Sequence, residues 1–115
     1  MTIQRYRGGE KLSRIVTYNG LVYLCGQVAN DYEVDLEEQT RQVLARIDDH
    51  LAEVGSDKTK MLSVLIHVKD ISQVAKMNAI WAEWLGDAPR PARTCVQAKM
   101  AKPNILVEMT VTATL

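Results

Sequence analysis

"MLSVLIHV", residues 61–68, carries apolar side chains at both odd and even positions, and its reading decides how the chain must be layered. In an extended strand Leu62, Val64, Ile66 and Val68 face one way while Met61, Ser63, Leu65 and His67 face the other, because successive side chains alternate. The second face is mixed rather than polar. Helices on one side alone would leave it in water as an apolar patch.

The segments around this strand supply one covering layer. Leu36, Thr40, Val43, Leu44, Ile47, Leu51 and Val54 recur at helical spacing with Glu, Gln, Arg and Asp opposite, which predicts an amphipathic helix. Asp35 is its expected N-cap with Glu38 reaching back in a capping box, and Gly55 its left-handed terminator. Beyond the strand, Ser72 is the expected cap of a second helix running to about Leu85. Its buried side is Val74, Met77, Trp81 and Trp84 or Leu85, and "GDAPRP" breaks it. Three short stretches come first: "TIQRY" (2–6), "RIVTY" (14–18) and "LVYLC" (21–25), with a hairpin turn predicted at Asn19-Gly20. Two strands, 93–99 and 105–114, end the chain, joined by "AKPN" and read as a hairpin with Pro103 in its turn. The order predicts a single α+β domain over 1–115, a mainly antiparallel sheet with two helices on one face. Strand 21–25 is also apolar on both sides, so we expect a homo-oligomer packed sheet to sheet.

Fourteen basic and fourteen acidic side chains cancel, which leaves no electrostatic footprint for nucleic acid. The opening residues lack a secretory apolar segment and no apolar run approaches the ~20 residues that span a bilayer, so a soluble cytoplasmic protein is expected, without membrane contact. Cys25 and Cys95 lie in no CxxC or Cys/His cluster; reduced thiols and no metal site follow.

The candidate chemistry lies near the C-terminus. Alternation puts Arg93, Cys95, Gln97 and Lys99 on one side of their strand, and Glu108 is the only charged residue of the last one. If Met100 faces Ile105 across the turn, Gln97 opposes Glu108 and Arg93 opposes Thr112. Arg93 and Glu108 are then roughly 13 Å apart along the strand, too far for an internal ion pair. The guanidinium is left to take an anion from elsewhere, and its planar fork suits a carboxylate. His67 reads as a sheet residue and His50 as a solvated helix residue.

"RPARTCVQAKMAKPNILVEM" (90–109) resembles the signature of the RidA (YjgF-like) family of enamine/imine deaminases: P-A-R-[small]-C-V, a Lys/Pro-containing turn, then Glu between hydrophobic residues. "CGQV" (25–28), "EEQTRQVLARID" (37–48) and "VKDISQVAKMNAIW" (68–81) resemble further family segments, so the similarity covers nearly the whole chain. It implies a chorismate-mutase-like fold, a homotrimeric barrel, and sites in clefts between subunits. It also implies hydrolysis of 2-aminoacrylate-like enamines, through 2-iminopropanoate- or 2-iminobutanoate-type imines, to 2-keto acids and ammonia, with no cofactor. By resemblance Arg93 binds the substrate carboxylate, the Cys95 backbone contacts ligand and water, Glu108 positions or activates the water, and Asn78 and Cys25 line the pocket. Where the best-known deaminases carry "GPY", this chain has "EKL" at 10–12, so Leu12 replaces a pocket tyrosine, and the loop before "RPAR" is about two residues shorter. The other function compatible with this pattern is a non-catalytic trimer that senses or carries a carboxylate metabolite, or binds a protein.

Overall fold

The computed structural model describes residues 1–115. Its strands are β1 (Gln4–Tyr6), β2 (Ile15–Tyr18), β3 (Leu21–Leu24), β4 (Met61–Val68), β5 (Ala92–Gln97) and β6 (Val107–Thr114), with helices α1 (Leu36–Glu53) and α2 (Val74–Leu85). One sheet runs in the order β1-β2-β3-β6-β4-β5. The β4–β5 pair is parallel and the others are antiparallel. The expected α+β class, with two helices on one face of a mainly antiparallel sheet, is what the chain adopts.

Local chemistry explains most element ends. Asn19 and Gly20 both take positive φ, 52° and 79°, which gives the β2–β3 turn the twist that a tight hairpin requires. Asp35 caps α1 by accepting from the Glu38 backbone N–H at 2.9 Å. The capping box does not form, because the Glu38 carboxylate is engaged further along the helix by Arg41 at 3.5 Å and Gln42 at 3.3 Å. At the other end the Ser56 N–H bonds to Leu51 and the Gly55 N–H to Ala52, the Schellman pattern, with Gly55 at φ 79°. Ser72 is not the cap of α2. The Asp70 carboxylate captures both the Ser72 N–H (3.0 Å) and its hydroxyl (2.7 Å), starting a short 3-10 turn over Ile71–Gln73 that leads into α2.

The core lies between sheet and helices. Val43, Ile47 and Leu51 of α1 and Met77 and Trp81 of α2 close over Val64, Ile66, Val68, Val107, Met109 and Val111. On α2, Ile80 and Leu85 are buried and Trp84 is half-buried, its indole N–H donating to Asp48 at 2.9 Å.

Two register expectations are corrected. The last two strands are not a hairpin, and the Gln97–Glu108 and Arg93–Thr112 pairings do not exist. β4 lies between β5 and β6, with His67 opposite Glu108, Ile66 opposite Cys95 and Val64 opposite Arg93. Helix α2 returns the chain to the free edge of β4, so β5 enters parallel, as a strand-helix-strand unit demands. The strongly alternating β6 takes the central slot, its odd residues from Val107 to Ala113 all buried. Its connection is held by the fully buried Gln39, whose amide donates to Asn104 O (3.0 Å) and accepts from the Leu106 N–H (3.0 Å). The second correction is a bulge between Met61 and Ser63, which turns Met61 inward and leaves Leu62 out, opposite to a regular alternation.

The two layers form a slab only 20 Å thick in its smallest dimension. Tyr23, Leu62, Leu65 and Val96 remain 40–47% exposed, and alternation places Tyr23, Leu65 and Val96 on the side away from the helices. Light scattering behind size exclusion should give a multiple of the 12.9 kDa chain mass at micromolar concentration. A monomer mass there would remove the argument from the open face.

Candidate functional site

The β4 ladder decides where Arg93 points. Its partner Val64 is buried beneath the helices, so Arg93 projects on the helix side of β5, which is the edge strand. Its Nη1 donates to Asn78 Oδ1 on α2 at 2.8 Å, and its guanidinium carbon lies 5.5 Å from the Trp81 ring centroid. Asn78 holds one corner of the fork and Trp81 supports its plane. The remaining guanidinium N–H donors have no protein partner.

Cys95 lies on the same side of β5, half-buried against the core. Burial pushes its thiol above the usual range, and the nearby Arg93 charge only partly opposes this. A thiol so placed is a poor thiolate nucleophile.

Glu108 occupies the other face. Its neighbours Val107 and Met109 are buried under the helices, so the carboxylate projects from the open side of β6, half-buried and without a hydrogen-bond partner. It leans over Gly26. A Cβ built on that glycine would stand 2.9 Å from the carboxylate carbon, so the side chain fills the space an alanine would need. The adjoining Cys25 is half-buried, its sulfur accepting from the Gln27 amide at 3.3 Å.

Within one chain the candidates therefore form two groups. Arg93, Asn78, Trp81 and Cys95 gather at the β5 edge on the helix side; Cys25 and Gly26, just after β3, gather with Glu108 of β6. Leu12, 54% exposed, sits in the β1–β2 connection at the opposite edge of the sheet from Arg93. Sequence reasoning treated Trp81 as core only and passed over Gly26 as a space-making residue. The Cys-Gly-Gln run was a usable signal for Gly26, but its contact depends on the β3–β6 pairing. No three His, Cys, Asp or Glu side chains cluster in a way that could hold a metal ion, and no helix is long and apolar enough to cross a membrane.

Residues 2–115 match the protein family described as Endoribonuclease L-PSP. A RutC family protein of Haemophilus influenzae is 39% identical over 115 residues, covering 99% of both chains. Among solved structures, NMB1025 of Neisseria meningitidis, described as a YjgF family member, superposes with a TM-score of 0.94 at 40% identity, covering 99% of this chain and 95% of that one. A protein of the conserved Rid family from Yersinia pestis superposes with a TM-score of 0.88 at 31% identity, over 94% and 90% of the two chains.

Proposed function

The chain belongs to the Endoribonuclease L-PSP family, which groups it with RutC and YjgF (RidA-like) proteins, and from that premise we propose that it is an enamine/imine deaminase. In this reading a homotrimer hydrolyses small 2-imino acids, of the 2-iminopropanoate and 2-iminobutanoate type, to 2-keto acids and ammonia. The observation that carries the reading is Glu108, a carboxylate without a hydrogen-bond partner on the open sheet face. A protein that only binds a carboxylate metabolite has a use for Arg93 and none for a second, negative group.

Arg93 takes the substrate carboxylate with the donors that Asn78 leaves free. Glu108 and Arg93 project from opposite faces of one sheet, so a single chain does not present both to one small molecule. The site is then completed by a second subunit whose Glu108, Cys25 and Leu12 meet the Arg93 edge of the first. A 2-aminoacrylate-type enamine first tautomerises to its imine. Glu108 accepts a proton from water as the oxygen attacks the imine carbon, and the nitrogen gains that proton in the carbinolamine. Collapse to the ketone expels ammonia, so one water is consumed and no other co-reactant is needed. Positioning and general base help together supply the acceleration.

The family's description speaks of RNA cleavage. Here the balance of fourteen basic and fourteen acidic residues provides no surplus for phosphate backbones.

Generating imines in place with an amino acid oxidase, from several amino acids, tests the reading. The protein should speed release of ammonia and keto acid for at least one. No acceleration for any, with the trimer verified, would shift the assignment to carboxylate binding without catalysis. Cys95→Ser should keep kcat/KM within about threefold of wild type, since partial burial disfavours the thiolate that a nucleophile would need. A loss beyond about a hundredfold would make the sulfur a participant.

A further inference from the structure

We propose that His67 is a positioning residue for Glu108, donating to its carboxylate through the Nε2–H of the imidazole. The two residues oppose each other in the β4–β6 ladder and share the open face. Directly opposed side chains on one sheet face stand about 4.5–5.5 Å apart at Cβ. The ring is half-buried, and its Nδ1 is closed off from solvent with no hydrogen-bond partner. Unpaired N–H groups are rarer in protein interiors than unpaired acceptors, so the proton belongs on Nε2, leaving a bare lone pair inside. That makes Nε2 the donor nitrogen of a ring open to solvent on its other side. Across the ladder on β5 stands Val96, and the next residue on the same face of β4 is Leu65, neither of them an acceptor; the hydroxyls of Thr94 and Thr110, opposite Leu65, are diagonal to the ring and so farther from it than Glu108. Glu108 offers two oxygens without partners. In the single chain the carboxylate leans toward Gly26, on the side away from β4, and makes no hydrogen bond to the ring; in the proposed contact the imidazole N–H holds one oxygen from the β4 side while the other stays over Gly26, turned to water.

The catalytic consequence rests on the deaminase reading; the contact does not. His67→Phe keeps a ring in the ladder and removes the donor. His67→Gln places an amide N–H near the Nε2 position, whereas His67→Asn reaches only the Nδ1 position. We expect Phe and Asn to lower kcat about tenfold with KM changed by less than about twofold, and Gln to recover most of the loss. In the intact trimer, 15N resonances should show the proton on Nε2, and Glu108→Gln should shift the Nε2 signal. A Phe variant with wild-type kcat, a proton on Nδ1, or an Nε2 signal indifferent to Glu108→Gln would each overturn the proposal. If the wild type hydrolyses no imine, the deaminase reading fails, and the resonance experiment still decides whether His67 contacts Glu108.

Discussion

Arg93→Ala is expected to lower kcat/KM for imine hydrolysis by about three powers of ten while the trimer stays folded. Two charge-assisted hydrogen bonds to a substrate carboxylate contribute about 1.5–3 kcal/mol each, and losing about 4 kcal/mol is roughly a thousandfold. The fold has little to lose. Arg93 is exposed, and its own contacts are one hydrogen bond to Asn78 and the Trp81 face. An exposed cation over a ring contributes about 0.5–1 kcal/mol, so the thermal midpoint should move by only a few degrees. Arg93→Lys should regain about tenfold at most, because an ammonium makes a point contact where the guanidinium makes two. Mixing tests the split site. Arg93→Ala and Glu108→Ala variants should each be inactive, and random exchange of equal amounts should rebuild about one quarter of the sites if each draws its arginine and glutamate from different subunits. Verified exchange with no recovered activity would mean that both residues serve from one chain.

The sequence showed more about side-chain chemistry than about who stands next to whom. The α1 stripe, the Asn19-Gly20 turn and the buried alternation of β6 were legible because each is a local period or a local backbone demand. The β4–β5–β6 arrangement was not, since "AKPN" between two strands reads locally as a hairpin, and only the central fit of β6 and the return path of α2 exclude it. That one reversal separates Arg93 from Glu108 by a strand and puts them on opposite faces. The conclusion drawn from the mistaken register, that the two do not pair within a chain, survives for a different physical reason. The caps failed for a similar cause: Glu38 and Ser72 fit the motifs, but Arg41, Gln42 and Asp70 compete for them at close range. Gly26 and His67 acquire meaning only through their partner on β6.

Glu108→Gln should reduce kcat by about 10²–10⁴-fold with KM little changed, the range for removing a general base while the carboxylate clamp stays intact. Such a result alone does not separate the charge from its placement, and Gly26 provides the separation. Gly26→Ala sets a Cβ 2.9 Å from the Glu108 carboxylate carbon and 3.3 Å from its Cγ. Contacts this close do not persist, so the side chain must swing away. It is the flexible end of a half-buried glutamate, so it can yield without disturbing the core, and the variant should fold and assemble normally. A carboxylate displaced by about 1 Å can lose about a hundredfold in rate. Gly26→Ala should therefore lower kcat by about that factor, while a 2-keto acid product should inhibit as strongly as it does the wild type, since the change leaves the proposed Arg93 contact untouched. Combining Gly26→Ala with Glu108→Gln should cost little beyond Glu108→Gln alone, because both changes act on one carboxylate. Full additivity of the two losses would show that Gly26 acts through something other than Glu108.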